Sequence, residues 1–290
     1  MHNHTLTDSV RYSYVRVLSL LTLDMQKGRL PETYVFFLSK QHREVVLFKA
    51  FAKLRVEASR YYLGFLWWVF HPLLTMAIFY LVFHVLLQRG EPDYVAFLLI
   101  GVTTWHWFSN TISHSMNSIW GGGSLMSQVD IPKVVFPCVI IVLDTIKFSF
   151  VFLILLIFLI IYGHTPDVKY ISLPLILLVQ LLVITAGAFL VAAVVPFMPD
   201  LEYVFGVLLR LMLFLSGIFY SSERIPEKYK EYFYLNPMAN LIESYRAVMM
   251  KHDWPDWTSL GLVANAAIIG IVATNLFIKR FDRLYPRICP

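Results

Sequence analysis

The sequence predicts an all-α integral membrane protein. It has six transmembrane helices, an N-terminal amphipathic interfacial helix before them, and an external re-entrant helical hairpin between spans five and six. Three observations carry this. Hydrophobic residues make up 58% of the 290 and charged residues only 15%, against about 25% charged in a soluble chain. The apolar residues gather in runs near the ~20 needed to cross a 30 Å hydrocarbon core. Aromatic residues reach 16%, and Trp and Tyr concentrate where lipid meets water.

Residues 1–42 are polar and basic and read as an N-terminal cytoplasmic extension. Val15 to Leu23 is apolar, but Arg16 interrupts it and no small-residue cleavage site follows, so targeting is expected from the first span. Residues 43–60 read as a helix. At 100° per residue Leu47, Ala50, Phe51, Leu54 and Ala58 share one face, with Lys49, Lys53 and Glu57 beside and opposite it. A basic amphipathic helix just before a span fits the membrane interface; a solvated cytosolic helix is the alternative.

The remainder, 61–290, is the transmembrane domain. Its expected spans are Phe65 to Leu87, broken by Pro72, then Tyr94 to Trp120, Val134 to Tyr162, Ile171 to Pro196, the short Val204 to Tyr220, and Ser259 to Ile278. Ala266 and Gly270, four apart on the sixth, are a small-residue pair that lets helices approach closely. With the N-terminus inside, inner segments hold 15 Lys/Arg against nine acids, and outer segments seven against nine. The positive-inside rule therefore places both termini in the cytoplasm. Between spans five and six, Ser221 to Trp257 lies outside. Its part from Leu235 to Met250 is too polar to span and too apolar for a free loop, so a hairpin buried by protein is expected.

Catalytic and ligand-binding signatures are missing from the sequence. Gly121-Gly122-Gly123-Ser124 lacks the Lys and the spacing of a phosphate-binding loop. No zinc-protease motif, nucleophile elbow or Cys/His ligand spacing occurs. Cys138 and Cys289 suggest neither a disulfide framework nor a metal cluster. The nine histidines form no i, i+4 pair.

Charges within spans are costly and therefore informative. Asp144 and Lys147, three apart on the third span, can partly neutralise each other. Arg210, near the middle of the fifth, has no acid three or four positions away. Two readings stay open: it faces a passage and attracts an anionic lipid phosphate, or it pairs with Asp144 or backbone carbonyls. Tyr80, Trp105, Trp107 and Phe108 either line a path for sugars or belong to an interfacial belt, which suits Trp67 and Trp68 near the inner end.

Several local patterns then converge. The segment Ser59-Arg-Tyr-Tyr-Leu-Gly-Phe-Leu-Trp-Trp-Val-Phe-His-Pro-Leu-Leu74 resembles the start of permeases of ABC exporters for O-antigen and capsular-type polysaccharide. Gly101-Val-Thr-Thr-Trp-His-Trp-Phe108 resembles that family's Gly…Trp-x-Trp-Phe stretch. Ser127-Gln-Val-Asp-Ile-Pro-Lys-Val-Val-Phe-Pro137 is similar to its cytoplasmic connection, and Ile225-Pro-Glu-Lys-Tyr229 with Leu235-Asn-Pro-Met238 through Glu243 and Arg246 to its external segment. The resemblance spans about residues 42–285.

It implies the transmembrane subunit of an ATP-driven exporter of lipid-linked polysaccharide in the bacterial cytoplasmic (inner) membrane. This chain would not itself be an enzyme. Its partners would be two copies of a separate ABC ATPase holding ATP and Mg2+, a second copy of itself, the polysaccharide and membrane lipids; no cofactor, metal or nucleic acid would be bound. Asp130, Ile131, Pro132 and Lys133 would receive the ATPase stroke. Trp105, Trp107, Tyr80 and Arg210 would line the path, Arg55, Arg60 and Tyr61 the cytoplasmic entrance, and Asn236, Pro237, Glu243 and Arg246 the external gate. A drug or lipid exporter of the same superfamily is the nearest alternative. A membrane-bound glycolipid-modifying enzyme would need an acid pair, for which Glu91 with Asp93, or Asp253 with Asp256, are the sequence neighbours.

Overall fold

The computed structural model describes residues 40–60, 66–86, 93–126 and 131–289, and every regular element among them is helical. Helix α1 runs Lys40–Arg60. Helix α2, Leu66–Phe79, continues as a π-helical stretch Tyr80–Leu86. Helix α3 is Tyr94–Met116, α4 Val135–Tyr162, α5 Leu173–Val194 and α6 Leu201–Leu215. Helices α7, Glu227–Tyr234, and α8, Pro237–Met249, form a hairpin, followed by α9, Trp257–Arg280, and a terminal turn α10, Tyr285–Ile288. Among the described residues three segments are long and apolar enough to cross a membrane: Val135–Tyr162, Val168–Val194 and Trp257–Arg280. The 28 residues of α4 rise about 42 Å, more than a hydrocarbon core requires.

Boundaries follow local chemistry. The Asn236 side chain accepts from the Met238 amide and Pro237 stands in the first turn of α8, so a cap and a fixed φ start that helix together. Asp256 caps α9, accepting from the amides of Thr258 (3.0 Å) and Ser259 (3.4 Å) and from both their hydroxyls. Those bonds, the Thr258 hydroxyl first, hold its carboxyl below the usual range. The cap's contribution is therefore complete above the ordinary Asp pKa and is lost as pH falls through the depressed value. Helix α6 ends before the expected Tyr220: Gly217 adopts φ +67°, which L side chains rarely tolerate, and the chain turns out of the helix.

Helix α5 is the hub, packed against α9, α3, α8 and α4. A run of small residues makes this close packing possible. A Cβ on Gly270 of α9 would stand 3.4 Å from Ala186, and one on Gly187 would meet Ile112 of α3 at 2.4 Å. Of the pair expected on the sixth span, Gly270 is at this contact, while Ala266 is exposed and its neighbour Ala267 is buried.

Two apolar clusters result. The larger joins α3, the second half of α4, α5, α8 and the first half of α9. The smaller lies at the other end, where Val46 and Ala50 of α1 meet Val135, Phe136 and Val139 of α4 and a terminal segment folded back through Phe281 and Tyr285. The Tyr285 hydroxyl donates to the Ala193 carbonyl at 3.0 Å, tying that segment to the end of α5.

Helix α1 follows α4. Lys49 Nζ lies 5.2 Å from the Phe136 ring centroid and Glu57 pairs with Lys147 at 2.5 Å. Eight residues on α1 thus match eleven on α4, roughly 12 and 16 Å of rise. Its apolar residues divide differently from the single expected face. Val46 and Ala50 turn inward with Leu54 half-buried, while Leu47, Phe48 and Phe51 turn outward.

One polar chain threads the larger cluster. The Tyr245 hydroxyl on α8 donates to Gln180 Oε1 on α5 at 2.8 Å, and Gln180 Nε2 donates to the Thr104 carbonyl on α3 at 2.8 Å. Tyr245, Gln180 and Thr104 are each fully buried, so a broken link leaves polar atoms unsatisfied in a low dielectric. Gln180→Leu should destabilise the detergent-solubilised protein by about 1–3 kcal/mol, measured by thermal unfolding. Tyr245→Phe added to it should cost markedly less than the two effects summed, because both remove the same link.

Candidate functional site

The residues expected at the external gate do come together, at the end of the bundle away from α1. Asn236, Asn240, Glu243 and Arg246 step three or four residues along α8 and share a face. Each secures a different piece of chain. Asn236 Nδ2 donates to Ser216 Oγ at 2.8 Å, beyond the end of α6. Asn240 Nδ2 donates to the Tyr234 carbonyl at 2.7 Å, closing α7 on α8. Glu243 accepts from Ser222 Oγ at 2.5 Å and from the Tyr234 hydroxyl at 2.8 Å.

Arg246 is the centre of this arrangement. It is 7% exposed and forms no ion pair with a carboxylate among the described residues. Instead Nη1 donates to the Gly217 carbonyl at 2.7 Å, Nη2 to Ile218 at 2.9 Å and to Phe97 at 3.1 Å, and Nε to Phe97 at 3.2 Å. The guanidinium carbon lies 3.3 Å from the Phe97 ring centroid, close enough for cation–π attraction. Carbonyls released where α6 stops thus receive donors, and a buried cation receives oxygen dipoles. The Tyr94 hydroxyl adds a bond to the Phe219 carbonyl at 3.1 Å, so residues 216–219 are each held from α3 or α8. Gly101 leaves the room: a Cβ there would stand 2.8 Å from Arg246 Nη2.

At the opposite end, Ile131 and Pro132 precede α4 and are half-buried. Lys133 is 3% exposed, with its ammonium on the Asp282 carboxylate at 3.1 Å, so it anchors the terminal segment. Asp130 lies outside the described residues. Arg55 is exposed on α1; the side chain of Arg60 and all of Tyr61 lie outside the described set.

The residues expected along a path separate. Trp105 and Trp107 are buried at 3% and 5%, and Trp107 stacks on Phe148 with centroids 4.1 Å apart and planes at 9°. They pack α3 against its neighbours within one chain. Arg210 is exposed on the outer side of α6, with no hydrogen bond or ion pair to any described residue. The side chain of Tyr80 lies outside the described set.

One polar group escaped the sequence reading. Asp144 and Lys147 stand 3.9 Å apart, as their spacing suggests, but each has a stronger partner. Asp144 Oδ2 is 2.8 Å from His114 Nδ1 of α3, and Lys147 takes Glu57 of α1. Four ionisable side chains therefore link three helices. The signal was faint, because Glu57 was assigned away from the packed face and His114 sits alone in sequence. A groove of about 400 Å3 opens between α4 and α5, lined by Trp107, Phe148, Phe152, Leu156, Leu177 and Leu181 among others. No group of three or more potential metal ligands occurs among the described residues.

Comparison with known proteins adds the family. The model of the ABC-2 type transporter family matches residues 47–250. A relative named O-antigen export system permease protein RfbA, from Klebsiella pneumoniae, is 29% identical over 241 residues, covering 83% of this chain and 91% of its own length. A protein of the same name from Myxococcus xanthus is 26% identical over 243 residues, 83% of this chain and 94% of its own. The polysialic acid transport protein KpsM of Escherichia coli is 26% identical over 221 residues, 75% and 85% respectively.

The Arg246 clamp predicts a specific pattern of damage. Arg246→Lys keeps the charge but cannot reach three carbonyls with a planar fork, and should lower stability by about 2 kcal/mol or more. Gly101→Ala, which crowds Nη2, should act in the same direction. In both, limited proteolysis of the solubilised protein should cut faster between residues 216 and 236, where the held chain loosens.

Proposed function

The chain belongs to the ABC-2 type transporter family, and from that premise we propose that it is the permease subunit of an ATP-driven exporter of lipid-linked polysaccharide, O-antigen most directly. The observation that carries this is the match over 83% of the chain to two relatives named O-antigen export permeases, of whose own length it covers more than nine-tenths. The relative named for polysialic acid transport extends the substrate to a second polysaccharide and keeps the class unchanged. A hydrophilic polymer cannot cross hydrocarbon unaided, and this chain offers no phosphate-binding loop with which to use ATP. A separate ATPase must supply the work.

In this reading six spans lie in the bacterial inner membrane with both termini in the cytoplasm: α2, α3, α4, α5, α6 and α9. The α7–α8 hairpin is the external re-entrant piece, held by Arg246. Two copies of the chain and two ATPase subunits form the transporter, with the path between the permeases. Helix α1, carrying Arg55, borders the cytoplasmic entrance. Ile131 and Pro132, which keep part of their surface free, receive the ATPase, while Lys133 transmits the push to the C-terminal segment through Asp282. The outer side of α6, with Arg210, borders the path. Trp105 and Trp107 support it from within the subunit, since their burial leaves little ring surface to offer a sugar.

Deletion of the gene should remove surface polysaccharide while lipid-linked polymer accumulates inside, with drug sensitivity unchanged. A changed drug profile with intact surface glycan would support the drug-exporter alternative instead. The purified chain should hydrolyse no ATP by itself; robust ATPase activity without a partner would contradict the proposal.

A further inference from the structure

We propose that Arg210 is a recognition site for the phosphate of the lipid-linked cargo, presented from the outer stripe of α6; this rests on the export reading above and on α6 being its fifth span. The stripe is formed by Tyr203, Val207, Arg210 and Phe214, at steps of four, three and four. Tyr203 is 80% exposed, Val207 61% and Phe214 60%. The opposite side, through Phe205, Leu209 and Met212, packs on the core. The helix contains no buried residue, and its main contact is with α3.

An arginine in the middle of such a stripe is the least lipid-compatible group on this surface. The acids that could neutralise it are engaged elsewhere. Glu202, two helical turns or about 12 Å along α6, accepts from Asn117 Nδ2 at 2.9 Å. Asp144 is taken by His114 and Lys147. The stripe therefore offers a cation without a described counter-ion, flanked by apolar and aromatic surface that lowers the local dielectric. Charge complementarity demands an anion there. A guanidinium fork fits a phosphate through two parallel hydrogen bonds, and the flanking Val207, Phe214 and Tyr203 suit the hydrocarbon that a lipid phosphate carries. A carboxylate from a second copy is the competing partner. Glu202 and Asp144 already have partners, so the phosphate is favoured.

The test uses the full purified chain in neutral detergent. Binding of dodecyl phosphate, dodecanol and inorganic phosphate is measured by ligand-induced thermal shift for wild type, Arg210→Gln and Arg210→Lys. Dodecyl phosphate should bind wild type more tightly than either other probe. It should bind Arg210→Gln about tenfold more weakly or worse, the loss of a charge-assisted hydrogen bond. Arg210→Lys, which keeps the charge and loses the fork, should fall between them. Inorganic phosphate binding as tightly as dodecyl phosphate would show a free-anion site and overturn the lipid assignment. Because Arg210 makes no hydrogen bond or ion pair to a described residue, all three proteins should unfold at the same temperature without ligand. Equal affinity of wild type and Arg210→Gln for dodecyl phosphate would overturn the proposal. So would a fall from dimer to monomer in Arg210→Gln with phosphate affinity intact, which would assign the arginine to the second copy. Neither result depends on export; a deletion that leaves surface glycans unchanged would instead remove the export reading.

Discussion

A single buried guanidinium fixes the end of the bundle where the chain is least regular. Arg246 reaches the carbonyls of Phe97, Gly217 and Ile218, so α3, the exit from α6 and α8 converge on one cation. The Gly217 and Ile218 carbonyls need donors because α6 stops at Leu215, and the cation needs acceptors because it is buried. Each solves the other's problem without a carboxylate. Two glycines make this possible for different reasons: Gly101 by having no Cβ beside Nη2, and Gly217 by adopting φ +67°. Tyr245, next to Arg246 in sequence, points about 100° further round α8 and reaches α5 through Gln180. Adjacent residues thus attach one helix to two neighbours.

The other end is held by different means. Helix α1 packs on α4 through the buried Val46 and Ala50, the Lys49 ammonium over the Phe136 ring, and the ion pair of Glu57 with Lys147. Phe48 and Phe51 on its far side touch solvent or lipid. The terminal segment is tied by Lys133 to Asp282 and by Tyr285 to Ala193.

Much of this was legible in the sequence. Long apolar runs gave helices α4, α5 and α9 nearly to the residue, because length and hydropathy decide membrane spans. The segment after α6 read as a buried hairpin because its polarity was intermediate, and Asn236, Glu243 and Arg246 were singled out there. Their partners were not legible. Arg246 bonds to backbone carbonyls, which every sequence has, and only the fold says which are free. The ladder from Glu57 to His114 was hidden for a similar reason: its members lie on three helices, up to 90 positions apart. Trp105 and Trp107 show the converse, since a Trp-x-Trp pattern does not reveal what the rings face: Trp107 stacks on Phe148 of α4 and Trp105 is buried.

The most direct test is transport itself. This chain and its partner ATPase are reconstituted in proteoliposomes, with fluorescent lipid-linked polysaccharide supplied on the face bearing the ATPase. The account predicts that polymer becomes protected from an added glycosidase only when ATP, Mg2+, the ATPase and this chain are all present. Protection in the absence of the ATPase, or none with every component in place, would contradict it.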